Sequence, residues 1–217
     1  MKIVILPLPM PDAPIKLAVL ISGGGTTLQN LIDQIAEKKL RAEINLVIAS
    51  RPGIKGIDRG QKAGIRTEVV SKKDIPSTEA FSDKVFALCD DARVDLICLG
   101  GWLSLLHIPP RYDGKMINIH PSLLPSFGGK GMYGAKVHQA VIDHGCKVSG
   151  CTVHFVNNEY DAGPIILQRT CPVLDSDSAD DLAHRVFEEE KIAYPEAIRL
   201  IASGKLQIVG RQVKSKG

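Results

Sequence analysis

From Ile15 onward the chain alternates between two hydrophobic periods. Residues 17–21 are unbroken apolar, a glycine-rich turn follows, and Leu28, Leu31, Ile32, Ile35 and Ala36 then recur at helical spacing. This predicts a buried strand, a tight turn and an amphipathic helix. Residues 44–49 predict a second buried strand, 53–63 a weaker helix ending before Gly64, and 67–70 a short third strand. Ser77 is placed to cap a helix whose face carries Phe81, Val85, Leu88 and Cys89, and residues 96–99 form a fourth strand ending in Gly100 and Gly101. A fifth strand, 116–120, stops at Pro121, which cannot continue a ladder.

Beyond that strand the grammar changes. Residues 126–134 hold four glycines and predict a loop, followed by a helix over 136–144. Residues 149–156 and 165–173 predict an antiparallel strand pair around a loop that contains Asp161. A last helix starts at Ser178, with Asp181 at the capping-box position, carries Leu182, Val186 and Phe187, and is expected to be disturbed at Pro195. Residues 206–209 are expected as a final edge strand before a frayed lysine-rich end. Strands alternating with helices imply the α/β class: an open, mostly parallel Rossmann-like sheet flanked by helices, with the antiparallel pair in the C-terminal part.

Composition narrows this further. The 217 residues are 44% hydrophobic and 24% charged, which is globular and allows one large core, so residues 15–217 are expected as a single domain. Residues 1–14, with prolines at 7, 9, 11 and 14, are expected as an extended, disordered leader, or else Met10 is the true start. Those prolines interrupt the apolar run, and no signal peptide or membrane span is indicated. The net charge is only +3 and no basic cluster is interleaved with aromatics, which argues against nucleic acid as a partner. The five cysteines are odd in number and scattered in apolar contexts, so a reducing, cytoplasmic setting is expected.

Three stretches carry candidate chemistry. Strand alternation puts Asn118 and His120 on one face at the carboxyl end of the fifth strand, where open parallel sheets place their ligands. An amide donor beside an imidazole suits acyl transfer, one group for the oxyanion and one for protons. The bland alternative is a polar strand end whose residues satisfy each other. Asp161 precedes Ala162, Gly163 and Pro164, so it is either a turn former or, if it faces His120, a carboxylate that raises the histidine pKa and makes it an acid near neutral pH. The Ser-Gly-Gly-Gly-Thr-Thr-Leu run at 22–28 is either a tight turn alone or an anion site at a helix start, and the hydroxyls of Thr26 and Thr27 favour the second. It lacks the Gly-Lys-Ser/Thr of a P-loop and the third glycine of a dinucleotide fingerprint. His154 is expected as a packed histidine. A metal triad of His120, His154 and Asp161 lacks ligand spacing, and the remaining histidines form no constellation.

With these residues assembled, the chain resembles the folate-dependent formyltransferases. The matching pieces are Ile-Ser-Gly-Gly-Gly-Thr-Thr-Leu at 21–28, Ile-Asn-Ile-His-Pro-Ser-Leu-Leu-Pro at 117–125, Val-His-Phe-Val at 153–156 and Asp-Ala-Gly-Pro-Ile-Ile-Leu-Gln at 161–168. The resemblance implies a catalytic trio of Asn118, His120 and Asp161, with Gly25, Thr26 and Thr27 holding a ribonucleotide phosphate and Glu190 binding the same acceptor. It implies a folate pocket walled by Leu103, Ser104, Leu105 and Leu106 and by the loop bearing Asn157 and Tyr160. It further implies 10-formyltetrahydrofolate as co-substrate, no metal, and formyl transfer to the amine of glycinamide ribonucleotide in purine biosynthesis by a monomer or homodimer with small-molecule partners only. Ser104 and Thr78 stand where relatives often carry arginines that meet the folate, and Lys130 or Lys136 could substitute. The same trio would serve a formyltetrahydrofolate hydrolase or a sugar-nucleotide formyltransferase. The glycine-rich turn and Glu190 favour an acceptor with phosphate and amine. A non-catalytic nucleotide-binding module, with Arg51 on a phosphate, leaves 117–125 without a purpose.

Overall fold

The computed structural model describes residues 3–5 and 13–216. In chain order its elements are β1 (Ile3–Ile5), β2 (Ile15–Ile21), α1 (Thr26–Ala36), β3 (Ala42–Ala49), α2 (Lys55–Lys62), β4 (Thr67–Val69), α3 (Thr78–Asp91) and β5 (Leu96–Leu99). After these come β6 (Met116–His120), α4 (Ala135–Asp143), β7 (Val148–Phe155), β8 (Ile165–Pro172), α5 (Ala179–Ala202), β9 (Leu206–Val209) and β10 (Gln212–Ser215). Two compact units divide the chain inside β6, between Ile117 and Asn118.

In the N-terminal unit the strand order is β5-β2-β3-β4 and every pairing is parallel. Parallel strands are covered on both faces, which is why β2 and β5 are continuous apolar runs rather than alternating ones. Leu28 and Leu31 of α1 and Phe81, Val85 and Phe86 of α3 are buried. Ser77 caps α3 as expected, its hydroxyl accepting from the Ala80 amide at 3.1 Å. The weak helix α2 has two glycines in eight residues and is held by close approach instead: a Cβ on Gly56 would lie 2.4 Å from Ile21 Cδ1, and one on Gly60 2.5 Å from Thr67 Oγ1.

The C-terminal unit has the order β1-β9-β10-β8-β7-β6. Here β7 and β8 run antiparallel, as their alternation and intervening turn predict. Its long helix α5 opens with the expected capping box: the Ser178 amide donates to Asp181 Oδ2 at 3.0 Å and the Asp181 amide to Ser178 Oγ at 3.2 Å. Three expectations change. Pro195 does not interrupt α5, because it is buried with Ala193, Tyr194, Ala197 and Ile198 and that packing outweighs one missing N–H. The lysine-rich end is not frayed: Gln212–Ser215 pair with Leu206–Val209 across a turn at Gly210, whose φ is +62°. Consequently β9 is not an edge strand, since β1 pairs with its other side. Within the Pro-rich leader, the β-branched Ile3–Ile5 form β1, and residues 6–12 lie outside the described residues. Among the described residues no helix is long and apolar enough to cross a membrane.

Gly150 is where β7 and β8 touch most closely, because a Cβ there would sit 1.9 Å from the Arg169 carbonyl oxygen. Gly150→Ala is expected to cost about 1–3 kcal/mol, read as a lower urea midpoint with an unchanged slope. A midpoint equal to that of the parent would show that the pair can spread freely.

Candidate active site

The strand end β6 delivers Asn118, half-buried, and His120, only 4% exposed. The chain then turns through residues 121–127, and one buried hydroxyl holds that turn. Thr152 Oγ1, on β7, donates to the Ser122 carbonyl at 2.7 Å and accepts from the Leu124 amide at 3.0 Å and from Gln168 Nε2 at 2.9 Å. Gln168 Nε2 also donates to the Leu124 carbonyl at 3.0 Å. The loop carbonyls and amides that a prolonged strand would have paired are thus satisfied by side chains. Ser122 Oγ closes the turn on the Ser126 carbonyl at 2.7 Å, and Phe127, at φ +54°, presents its carbonyl to His120 Nε2 at 2.8 Å.

The carboxylate comes from the turn between β7 and β8. Asp161 sits at φ +51°, and the next turn residue that matters is Gly163, where a Cβ would lie 1.7 Å from the Phe155 carbonyl oxygen. The Phe155 amide donates to the Pro164 carbonyl at 2.9 Å and fixes the turn. Asp161 Oδ2 accepts from the Gly129 amide at 2.9 Å and lies 3.5 Å from His120 Nδ1. Its Oδ1 faces Asn118 Nδ2 at 3.4 Å and His154 Nε2 at 3.6 Å. Asn118 Nδ2 is also 3.2 Å from His154 Nε2, while His154 Nδ1 is spent on the Phe155 carbonyl at 2.9 Å. Three side chains and one backbone amide therefore surround the carboxylate.

His154 is the member that the sequence reading set aside as a packed histidine. It is buried, as expected, but it is also joined to the cluster. Its signal was the two-residue spacing from Thr152, yet β7 is buried on both faces from Ser149 to Phe155, so burial could not single it out. The Gly129 amide could not be read from the sequence at all. His120, His154 and Asp161 meet through hydrogen-bond geometry, and among the described residues no three His, Cys, Asp or Glu side chains group as a metal site.

The electrostatics correct one expectation. Burial lowers the His120 pKa, and the raising effects of Asp161 and the Phe127 carbonyl do not make up for it. Asp161 faces His120 as anticipated, yet the imidazole rests neutral near pH 7, with Nε2–H given to Phe127. For Asp161, burial alone would raise the pKa; the hydrogen-bonding His154, the charge of His120 and the Gly129 amide outweigh it and hold the carboxyl below its usual range. His138, buried on α4, is lowered by burial and by His120. Glu190, on α5, is pushed up to about 7 by burial and makes no hydrogen bond or ion pair among the described residues.

In the N-terminal unit, Gly25 adopts φ +70° at the start of α1 and is packed so closely that a Cβ would meet Gly56 Cα at 2.8 Å. No side chain caps α1, whose first turn carries exposed Thr26 and buried Thr27. Ser22 Oγ accepts from Ser50 Oγ at 2.8 Å and from the Leu103 amide at 3.0 Å, fixing the start of the 103–106 segment. There Leu103 is exposed, Ser104 and Leu105 are half-buried and Leu106 is buried. Arg51 Nε is turned to the Ser22 carbonyl at 3.2 Å. Thr78 heads α3 and its carbonyl accepts from Ser82 Oγ at 2.7 Å. In the C-terminal unit, Asn157 Oδ1 accepts from the Glu159 amide at 3.1 Å, Tyr160 is exposed, Lys130 is exposed, and the Lys136 ammonium lies 5.2 Å from the Tyr133 ring centre.

An α/β fold that gathers an amide, two imidazoles and a carboxylate at a strand end defines the class of enzymes that move acyl groups. The chain belongs to the formyl transferase family, whose model matches residues 15–198. It is 40% identical, with a TM-score of 0.87, to glycinamide ribonucleotide transformylase 1 from Symbiobacterium toebii, over 94% of this chain and 95% of that one. A phosphoribosylglycinamide formyltransferase from Coxiella burnetii is 35% identical, with a TM-score of 0.86 over 94% of both chains. The trifunctional purine biosynthetic protein adenosine-3 of Gallus gallus is 43% identical over 196 residues, 89% of this chain. The chain spans about a fifth of that relative's length, 19%.

Two of the buried histidines, His120 and His138, set a pH dependence of stability. In the unfolded chain each titrates near its ordinary 6.5, and in the fold each titrates lower, so the unfolded state binds more protons as pH falls below 6.5. Stability is then full above that value and declines toward the lowered pKa values. Unfolding midpoints in urea are expected to fall between about pH 7.5 and pH 5.5, with a smaller fall in His138→Gln. A flat profile in that window would contradict the burial argument.

Proposed function

We propose that the chain transfers the formyl group of 10-formyltetrahydrofolate to the primary amine of glycinamide ribonucleotide in purine biosynthesis. The observation that carries the reading is the shared carboxylate, Asp161, facing His120 Nδ1 with one oxygen and Asn118 with the other. The amine nitrogen attacks the formyl carbon, forming a C–N bond, and the carbonyl electrons move onto oxygen. Asn118 Nδ2–H stabilises that oxyanion, and the positive charge gained by His120 adds to it. His120 takes up at Nδ1 the proton that the attacking amine loses, at the cost that burial imposes, and Asp161 offsets the cost by orienting and neutralising the imidazolium. Collapse breaks the bond to the folate N10, which takes up through water the proton that His120 releases.

The remaining roles follow the chemistry of each group. Gly25, Thr26 and Thr27 hold the acceptor's phosphate at the start of α1, and Glu190, its pKa pushed up to about 7 by burial, meets the acceptor's hydroxyls. Leu103, Ser104, Leu105, Leu106, Asn157 and Tyr160 line the folate. A Gly129 amide and His154 act on Asp161 and Asn118 rather than on substrate. The setting is a reducing cytoplasm, fitted to Cys89, Cys98, Cys151 and Cys171, which are buried and not joined in disulfides, and the working form is a monomer or homodimer.

The test is spectroscopic consumption of formyltetrahydrofolate with and without glycinamide ribonucleotide. Loss of the donor only when the ribonucleotide is present is expected; loss without it would mean hydrolysis, and no loss in either case would overturn the reading. His120→Ala and Asp161→Asn are each expected to lower kcat by about 10³-fold or more, and the double variant by little further, because the pair acts as a unit. Near-parental turnover in either single variant would remove that residue from the chemistry. Thr27→Asp should raise the KM for the ribonucleotide far more than it lowers kcat, since it sets like charge against the phosphate; an unchanged KM would place the phosphate elsewhere.

A further inference from the structure

A groove of about 620 Å³ on the N-terminal unit is lined by Gln29 and Ile32 of α1, by Lys55, Asp58, Arg59 and Lys62 of α2, and by Ala63. Its size falls within the range of small-molecule sites. Lys55, Arg59 and Lys62 are spaced i, i+4 and i+7, so α2 turns one cationic face to the groove, while Gly56 and Gly60 press its other face onto Ile21 and Thr67. Like charges stacked on one short helix oppose each other, and Asp58 does not relieve them: among the described residues neither it, Lys55 nor Lys62 forms an ion pair.

Arg59 is already oriented. Its Nε donates to the Gly24 carbonyl at 2.9 Å and one terminal nitrogen to Gln29 Oε1 at 2.9 Å, leaving the second terminal nitrogen outside those bonds. A pinned guanidinium loses little freedom on meeting an anion, and its planar fork suits phosphate oxygens. Beside these charges, Ile32 and Ala63 offer apolar surface and Gln29 an amide. We infer that this groove is a second ligand site, taking a nucleoside diphosphate whose phosphates lie along Lys55, Arg59 and Lys62 and whose base lies on Ile32 and Ala63. The occupant is a nucleotide rather than bare phosphate because the groove offers that apolar wall as well as charge.

The experiment is titration of the whole chain with inorganic pyrophosphate and then with adenosine diphosphate, followed by backbone amide NMR. Both probes are expected to shift amides of α2 and of Gln29 and Ile32, with the nucleotide binding several-fold more tightly than pyrophosphate through the apolar contact. Lys55→Gln combined with Lys62→Gln should weaken both probes about tenfold, and Asp58→Asn should tighten them; all three positions are exposed, so folding is not at stake. Shifts confined to residues 23–28 would assign the anion to the α1 turn and overturn the site. Unchanged affinity in the lysine variant would do the same, and equal affinity for the two probes would overturn the nucleotide assignment.

Discussion

The C-terminal unit is organised around a carboxylate that cannot be left alone. Asp161 is 13% exposed, and a buried carboxylate without partners would take up a proton rather than keep its charge. What keeps it ionised is a set of groups from four places in the sequence: the Gly129 amide, Asn118 and His120 on β6, and His154 on β7. Each of those groups is itself committed elsewhere. His120 gives its far nitrogen to Phe127 and His154 gives its own to Phe155. The imidazole orientations are therefore decided by backbone carbonyls, and the carboxylate receives whatever edge those carbonyls leave free.

That dependence explains why a loop motif accompanies Asn118 and His120. The Phe127 carbonyl has to be held still for His120, and Phe127 is held by a turn whose own polar groups are satisfied by Thr152 and Gln168. Leaving one such buried group unpaired costs about 1–3 kcal/mol, enough to let the turn open and release the histidine. Gly128 has the same logic in steric form, because a Cβ there would meet Leu124 Cδ2 at 2.5 Å and Asp161 Cβ at 3.3 Å. Residues outside the cluster thus fix the geometry of those within it.

Much of the fold was legible because its signals are local. The apolar runs of β2, β3 and β5, the Ser77 cap and the Ser178–Asp181 box each declare themselves within a few residues. The parts that were not legible depend on partners far along the chain. β10 exists because Leu206–Val209 lies beside it, and α5 runs through Pro195 because its neighbours are buried. The site divides the same way. Asn118 and His120 follow from strand alternation, whereas His154 joins them over 36 residues of sequence, through a contact that no local pattern encodes. The direction of the His120 pKa was misjudged for a related reason: the sequence names a carboxylate that could face the ring, but not how deeply the ring is buried.

Open sheets place their ligands at the carboxyl ends of their strands, and here a carboxylate joins the end of β6 from the turn that follows the neighbouring strand. The β7–β8 hairpin provides that turn, and its tip carries Asp161 to a residue 43 positions earlier. The tip needs a left-handed residue and a glycine that approaches a carbonyl, which is why the Asp-Ala-Gly-Pro sequence sits there rather than a more general polar turn. The two arms of the hairpin then serve the same centre, β7 through Thr152 and His154 and β8 through Gln168. The carboxyl ends of β6 and β7, with the turn that follows β7, thus bring Asn118, His120 and His154 around Asp161.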